Sequence, residues 1–356
     1  MVRRTFLTAA ILVVSLLSTT AEPSPSLLLG DAYPLEASVS FPAALLHWLD
    51  SVTSLRGAGM TAGKTIEAHR ETYIDYLGVP SEEEQRLIEA YHGVRVRFAT
   101  NTVDDRNALT RAFFEADDLD DALKRASSLL NEKDLATLND TARHFATGYR
   151  RIWKDGEVPL GFVKRTEESG QRDELAGFLA GVAKFYDVDP GAAPHPRLIL
   201  VPVPAGGGTH AQAIDEFLLV EVRPGDGLPQ QIAPIVHENS HMLFHRMGQE
   251  RIKALEAAAL AHGPMGQAAW QHLTEALPTA IAQGVAQLTF RAEGWSFESR
   301  WYDVERVDVF AKKIFPNVKR AISTGRKLDP VLIDEFVEVY ERAVATRGSV
   351  APATPR

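Results

Sequence analysis

The sequence predicts an α+β protein that is predominantly α-helical. Amphipathic stretches with the helical period occupy most of residues 41–187 and return between 229 and 345. Between them, the apolar runs 197–203 and 217–222 have the length and the β-branched content of strands. A Pro- and Gly-rich linker near residue 190 separates the two patterns. We therefore expect a helical region before that linker and a smaller region of strands and helices after it.

The composition limits the chemistry that the chain can perform. Its 356 residues include 38 Lys and Arg against 47 Asp and Glu, for a formal net charge of −9. An acidic chain is a poor match for the phosphates of nucleic acid, so we expect no nucleic-acid partner. The chain has no cysteine, which excludes disulfides, thiolate metal sites and cysteine nucleophiles. Any metal ion must therefore be bound by His, Asp or Glu.

The first 21 residues are typical of a secretory signal peptide. Arg3 and Arg4 precede an apolar run and a small-residue exit that ends at Ala21. That run is too short to cross about 30 Å of hydrocarbon, so it is not expected to remain as a membrane anchor. The segment 3–7 also resembles a twin-arginine signal, and both export routes stay open. We expect an exported bacterial protein, periplasmic or extracellular, without a stable membrane anchor after cleavage of residues 1–21.

The predicted helical N-terminal region covers residues 22–190. Ser81 followed by Glu84 is a capping box and predicts a helix that begins there. The segment 168–185 carries an apolar stripe at helical spacing. Nothing in the sequence decides whether this region is a lid, a wall of a binding site or an inhibitory pro-segment.

The most specific motif is His237-Glu238-Asn239-Ser240-His241, an HExxH sequence. At about 100° per residue, the two histidines lie only ~40° apart around a helix, one turn above the other. Both imidazoles can therefore bind one ion, while Glu238 lies beside it, where a carboxylate can take a proton from water. Six apolar side chains are predicted on the opposite, buried face: Ile232, Ile235, Val236, Met242, Leu243 and Met247.

A catalytic zinc site needs a third protein ligand and one open position. His245 is the nearest candidate, but its position around the helix directs its side chain away from the metal ion. Glu250 and Glu256 follow too soon for a helix to fold back comfortably. Glu275 is the best candidate, on a helical segment from about 266 to 289. Small residues permit a close approach of that segment to the HExxH helix: Ala276, Ala280 and Ala282. His272, one turn before Glu275, could also reach the site or lie at the surface.

With these residues, the segment 197–290 resembles the gluzincin metallopeptidases, in which a glutamate on a following helix completes a site of two histidines and one glutamate. The resemblance implies a zincin-like catalytic domain over residues 191–350, made of a short sheet with an edge strand, the HExxH helix and the helix with the glutamate. It also implies Zn²⁺ bound by His237, His241 and Glu275.

By the same resemblance, Glu238 is the general base. An aspartate four residues after the glutamate ligand often supports the first histidine in that family; Thr279 occupies this position here. The resemblance also makes Leu219 to Val222 the edge strand that binds an extended substrate, with 205–210 a loop near the cleft. An ordinary internal strand is the alternative. Tyr302 or His210 would stabilise the oxyanion, although Tyr302 could instead be a core aromatic residue.

Together these features predict an exported zinc metallopeptidase, a hydrolase that cleaves peptide or protein substrates with metal-activated water and Glu238 as general base. Two alternatives remain open at this stage. One is an exported binding protein with a structural or vestigial zinc site. The other is a zinc hydrolase that acts on non-peptide amides or esters.

Overall fold

The structure, a computed structural model, describes most of the chain. The described residues are 26–53, 71, 73–75, 77–101, 105–204, 209–290 and 295–348. The predicted signal peptide, residues 1–21, lies outside them. Among the described residues, no helix is both long enough and apolar enough to cross a membrane.

Helices form most of the described chain, as the periodicity predicts. Before residue 190 they are α1 (Phe41–Thr53), α2 (Glu82–Asn101), α3 (Ala108–Phe114), α4 (Leu119–Ala126), α5 (Glu132–Trp153), α6 (Glu157–Glu168) and α7 (Arg172–Phe185). After it they are α8 (Leu228–Arg246), α9 (Gln249–Leu260), α10 (Gly263–Thr279), a π-helical segment (Ala280–Ala286), α11 (Gln287–Thr289), α12 (Glu305–Thr324) and α13 (Pro330–Gly348). The prediction of a mainly helical α+β protein is confirmed.

Within the described residues, five strands form one mixed sheet in the order β1-β2-β3-β5-β4. They are β1 (Ser26–Leu28), β2 (Glu36–Ser38), β3 (Arg197–Pro202), β4 (Ala211–Ile214) and β5 (Phe217–Val222). Strands β2, β3 and β5 are parallel, whereas β1 and β4 are antiparallel to their neighbours at the two edges. The sequence predicted β3 and β5; β1, β2 and β4 were not predicted, because three or four residues are too few for a clear alternation.

The two sides of residue 190 share this sheet. Strand β2 pairs with β3 from Glu36 opposite Arg197 to Ser38 opposite Ile199. One cluster of buried apolar residues also extends from Leu29 near the start of the described chain to Tyr340 on α13. The boundary at 190 stays a prediction, but the described residues on its two sides are joined by backbone hydrogen bonds and by a common core.

Two local features predicted from the sequence, the capping box at Ser81 and the apolar stripe of residues 168–185, are found in the structure. At the start of α2, the N–H and the hydroxyl of Ser81 donate to Glu84 Oε2 at 2.8 and 2.9 Å, and the N–H of Glu84 donates back to Ser81 Oγ at 3.2 Å. The capping box is therefore confirmed. On α7, Leu175, Leu179 and Val182 of the predicted apolar stripe are fully buried.

Candidate metal centre

Helix α8 carries the two histidines because one of its faces is apolar. Five of the six predicted residues of that face are buried, Ile232, Ile235 and Val236 completely, and Met247 is partly buried against the core. Asn239, between the two histidines, is also fully buried, and its Oδ1 accepts a 2.6 Å hydrogen bond from the hydroxyl of Tyr33. Packing on one side and this hydrogen bond fix the rotation of α8, so that His237 and His241 face outward into a cleft.

Helix α10 brings Glu275 to the same point. The chain between the two sites forms α9, within the stretch 229–345 that is predicted to be mainly helical, and this helix accounts for the long interval between His241 and Glu275. Ala276, Ala280 and Ala282 are fully buried. Since these side chains are small, the segment that follows Glu275 packs closely against α8, as expected.

Three ligand atoms converge at this point. His241 Nε2 lies 3.0 Å from His237 Nε2, and each of these nitrogens lies 3.4 Å from Glu275 Oε2. Ligand atoms that are bound to one tetrahedral zinc ion at the usual bond lengths stand about 3.3 Å apart. The triangle therefore has the dimensions of three corners of such a site, and its donors are the nitrogen and oxygen types that zinc accepts. Among the described residues, these three form the group that could hold a metal ion.

The charge state of the acid also suits a ligand. Burial opposes ionisation of Glu275, but hydrogen bonds from His237 and His241, together with their charge, hold its pKa well below its usual range. A carboxylate ligand must be ionised. Glu275 therefore meets that condition in the protein as it stands.

Glu238 lies beside the triangle and outside it. Its Oε2 accepts a 2.8 Å hydrogen bond from the backbone N–H of Ala213 on β4. Burial raises the pKa of Glu238, while the neighbouring imidazoles and the Ala213 N–H act in the opposite direction. A carboxylate in this position can accept a proton from water next to the ion site and later release it.

The edge strand next to the cleft is β4, and this corrects the assignment of Leu219 to Val222 to the rim of the cleft. Strand β5, which contains those residues, lies between β3 and β4 and is completely buried. The alternative, an ordinary internal strand, is the correct one. Residues 205–208 lie outside the described chain, whereas Thr209 and His210 line the cleft as expected for the loop before β4.

Tyr302 contacts two of the three ligand residues. Its hydroxyl donates to Glu275 Oε2 at 3.0 Å, and its ring stacks on His237 with centroids 6.2 Å apart and planes inclined by 14°. Burial and the nearby Glu275 carboxylate raise the pKa of Tyr302, which keeps its hydroxyl protonated and able to donate. The residue lies at the cleft, whereas the sequence left open whether it was a core aromatic.

A carboxylate and a guanidinium hold the loop that presents Tyr302. Asp308, near the start of α12, accepts the N–H of Trp301 at 2.5 Å and that of Tyr302 at 3.3 Å. Arg300 donates to the carbonyl of Tyr302 at 3.0 Å and to that of Asp303. Lys312 pairs with Asp308 at 3.0 Å. The backbone of Tyr302 is therefore held by contacts on both sides of the residue.

The other candidate ligands lie elsewhere. His245 lines the cleft but is not part of the converging group, and burial lowers its pKa. Glu250 is 91% exposed and pairs with Lys253. Glu256, on α9, is likewise outside the converging group and does not line the cleft. His272 lies against Ala268 and Tyr340, away from the cleft.

Two further positions from the sequence analysis have other roles. His210 lines the cleft, and its backbone N–H donates to Glu221 Oε2 at 2.7 Å. Thr279 is fully buried, and its hydroxyl has no hydrogen-bond partner among the described residues, so it does not replace the aspartate that the resemblance implies beside the first histidine. The supporting contacts of His237 therefore come from Tyr302 and not from Thr279.

The cleft around the triangle has a volume of about 1170 Å³. Its walls include β4, the outward face of α8 and the Tyr302 loop. Sequence reasoning missed Ala213, Asp215 and Gln283, which also line it. Ala213 acts through its backbone, so its side chain carried no signal. The Asp215-Glu216 pair between two apolar runs was a turn signal that could have revealed the hairpin β4–β5.

No family model, curated protein or solved structure matches the chain.

Proposed function

We propose that the protein is a zinc-dependent peptidase of the gluzincin type with a zincin-like catalytic region. The observation that carries the proposal is the triangle of His237 Nε2, His241 Nε2 and Glu275 Oε2, with sides of 3.0, 3.4 and 3.4 Å. A carboxylate that is not part of the triangle, Glu238, stands next to it. This combination of three ligands and a separate base is that of a catalytic metal site rather than of a closed structural one.

His237, His241 and Glu275 would hold the ion. A zinc ion in such a site activates water at neutral pH and polarises a substrate carbonyl. The chain itself supplies the other steps. Glu238 accepts the proton of the attacking water and transfers it to the leaving amine, as a general base and then a general acid. The Tyr302 hydroxyl, which is protonated and faces the same space, donates to the carbonyl oxygen as negative charge develops on it.

The free edge of β4 supports a peptide as the substrate. His210 accepts from the N–H of Glu221 on β5, whereas the N–H of Ala213 points to Glu238. Backbone N–H and C=O groups point alternately to the two sides of an antiparallel edge strand. Those of Ala211 and Ala213 therefore point away from β5 and toward the cleft. An extended peptide can pair with such an edge through its own backbone. The volume of the cleft, about 1170 Å³, accommodates several residues of such a peptide.

We also propose that the protein acts outside the cytoplasm of a bacterium. This rests on residues 1–21, whose basic start, apolar run and small-residue exit are typical of a cleaved export signal. The absence of cysteine is compatible with either compartment and does not bear on the choice.

The experiment that tests the proposed function compares Glu238→Gln with the wild type. We expect both proteins to retain one zinc ion per chain, because Glu238 is not a ligand. Hydrolysis of a mixed peptide library by the variant should fall by at least about 10²-fold, because the base is lost. Metal content is measured by mass spectrometry of the metal and cleavage by mass spectrometry of the peptides. Glu250→Gln on α9, an exposed site far from the triangle, is the matched control and should cleave normally.

Two outcomes would contradict the proposal. Undiminished cleavage by Glu238→Gln would remove Glu238 from the mechanism. Wild-type protein that binds zinc in a one-to-one ratio but cleaves no peptide in the library would instead favour a binding protein or a hydrolase of other amides and esters. Removal of the metal with a chelator should abolish cleavage, and addition of zinc should restore it.

A further inference from the structure

Edge strand β4 has few hydrogen bonds of its own. It consists of four residues, Ala211–Ile214, and in the part of the chain that the structure describes β5 is the one strand that pairs with it. On its other side, the N–H of Ala213 donates to Glu238 at 2.8 Å. A short strand with one neighbour opens easily unless other contacts hold it. The position of β4 against Glu238 therefore depends on contacts at the ends of the strand.

A buried hydrogen-bonded pair of side chains, His47 and Glu221, lies at the first end. Glu221, the penultimate residue of β5, is completely buried, and its Oε1 lies 2.7 Å from Nε2 of His47 on α1. Its Oε2 accepts the backbone N–H of His210 at 2.7 Å, directly before β4. A buried carboxylate is costly unless its oxygens are paired and hydrogen-bonded, and both oxygens of Glu221 have partners. Through Glu221, helix α1 is thus connected to the residue that precedes β4.

A second set of contacts holds the other end. Asp215, in the turn between β4 and β5, has a φ of 53°, a left-handed conformation that Asp, Asn and Gly tolerate best. Its Oδ1 accepts from Asn107 Nδ2 at 2.9 Å, and its Oδ2 accepts from the guanidinium of Arg111 on α3. Arg111 also pairs with Asp105, which orients its guanidinium. Both partners of Asp215 belong to the helical region before residue 190.

We propose that the helical region before residue 190 holds edge strand β4 in place against Glu238. His47 acts on the first end of β4 through Glu221. Arg111 and Asn107 act on the other end through Asp215. These are positioning residues, because none of them touches the triangle of ligand atoms. The consequence for cleavage rests on the proposed function, whereas the consequence for the backbone of β4 does not. Of the three possible roles that the sequence leaves open for this region, the contacts favour a wall of the site.

The experiment compares Asp215→Gly with Asp187→Gly in the full-length, zinc-loaded protein. Glycine accepts the left-handed backbone at both positions, so each variant loses side-chain contacts without strain in its turn. Asp187 is a close match, since its φ is 59° and it also pairs with an arginine, Arg251. Its ion pairs with Arg251 and Lys327 lie away from β4, between the end of α7 and the C-terminal helices.

Hydrogen–deuterium exchange of the peptide that covers residues 209–214 is the first measurement. We expect its amides to exchange about tenfold faster in Asp215→Gly than in the wild type, and at the wild-type rate in Asp187→Gly. The second measurement is steady-state cleavage. KM for an extended peptide should rise in Asp215→Gly, with zinc still bound at one ion per chain and a smaller change in kcat. Asp215→Asn, which keeps the turn and a side-chain oxygen, should restore most of both properties.

The first end of β4 is tested with Glu221→Gln and Glu221→Leu. The glutamine can still accept the N–H of His210 and should keep β4 protected, whereas leucine should not. If the leucine variant does not fold, the Asp215 variants decide the question. Equal exchange of β4 and equal KM in Asp215→Gly and Asp187→Gly would overturn the proposal. Faster exchange of β4 in a protein that cleaves no peptide would support the positioning role and contradict the proposed function, so the two failures are distinguishable.

Discussion

At the scale of single residues, Tyr302 differs from the other aromatic residues of the cleft. Its hydroxyl lies 3.0 Å from the oxygen of Glu275 that completes the triangle, and its ring covers His237. The hydroxyl can therefore either orient a ligand or donate to a reacting carbonyl. These two roles predict different kinetics, because ligand orientation affects zinc affinity, whereas stabilisation of developing charge affects kcat.

For Tyr302→Phe we expect the catalytic role to dominate. The ring and its stacking on His237 remain, so zinc content should stay at one ion per chain and KM should change little. Loss of one donor to an oxyanion typically lowers kcat by about 10²-fold or more. Tyr340→Phe is the control, since that hydroxyl faces His272 and lies away from the cleft. A variant with normal kcat at saturating zinc, but weaker zinc binding, would show that the hydroxyl only orients Glu275.

The residues of the site differ in how far the sequence could predict them. His237, Glu238 and His241 lie on one helix, where the period of 3.6 residues converts spacing into geometry. The convergence of Glu275 with them agrees with the prediction, because small residues mark the face of its helix. Asp215 and Asp308 escaped prediction, since their roles depend on tertiary packing. Asp308 accepts backbone N–H groups of the Tyr302 loop, and Asp215 accepts from side chains more than 100 residues earlier in the chain. Thr279 is a departure from the resembled family at the position of a supporting aspartate, and its hydroxyl has no hydrogen-bond partner among the described residues.

At the scale of elements, the π-helical segment Ala280–Ala286 directly follows α10, the helix that carries Glu275. Gly284 lies within it, directly against Phe315 of α12; a Cβ on this glycine would lie 2.4 Å from the Phe315 ring. Phe315 in turn packs edge-on against Trp301, with centroids 5.7 Å apart. Trp295 donates from its ring N–H to the carbonyl of Gln283 at 2.5 Å. Wider π-helical turns often occur close to functional sites, and this one lies at the wall of the cleft.

Gly284→Ala should therefore be destabilising, even though alanine favours helices. The added methyl group must displace the Phe315 ring, which is itself held by Trp301, so we expect a loss of about 1–3 kcal/mol in the free energy of unfolding. In Gly177→Ala on α7, where no atom lies within 4 Å of the new Cβ, the same change should be neutral or stabilise by up to about 1 kcal/mol. Urea unfolding of both variants measures the difference. Equal stabilities would mean that α12 can move away from the segment at little cost.

The bounds of a buried strand could be predicted from the sequence, whereas the order of the strands in the sheet could not. Strand β5 was predicted with the observed bounds, because all six of its residues are buried and five are apolar. Its place in the sheet was not fixed by that pattern, and β4 became the edge instead. Strand order depends on long-range pairing, which in this sheet joins β2 to β3 across about 160 residues of sequence. Glu221 is a buried acidic residue on β5, and only the folded chain brings it together with its partners, His47 and the N–H of His210.

At the scale of the whole molecule, the helical region before residue 190 and the region that carries the candidate metal centre share the same sheet. Strand β3 has β2 on one side and β5 on the other, and helix α1 packs on it. If β2 were absent, β3 would become an edge strand with a row of unpaired backbone groups between buried apolar residues. The carboxylate of Glu221 would also lose His47. The unpaired backbone of β3 and the lost contact of Glu221 would both destabilise the region that carries His237, His241 and Glu275.

A chain that begins at residue 191 should accordingly fail to fold on its own. We expect helical circular dichroism without a cooperative thermal transition, binding of hydrophobic dyes and a tendency to aggregate, which are the properties of a state without fixed packing. A chain that begins at residue 22 retains β1, β2 and α1, and it should unfold cooperatively and bind one zinc ion. Calorimetry and metal analysis of both proteins make the comparison. Cooperative unfolding and stoichiometric zinc in the shorter chain would mean that residues 191–350 form an independent domain and that the contacts of β2, α1 and α3 are dispensable for the metal centre.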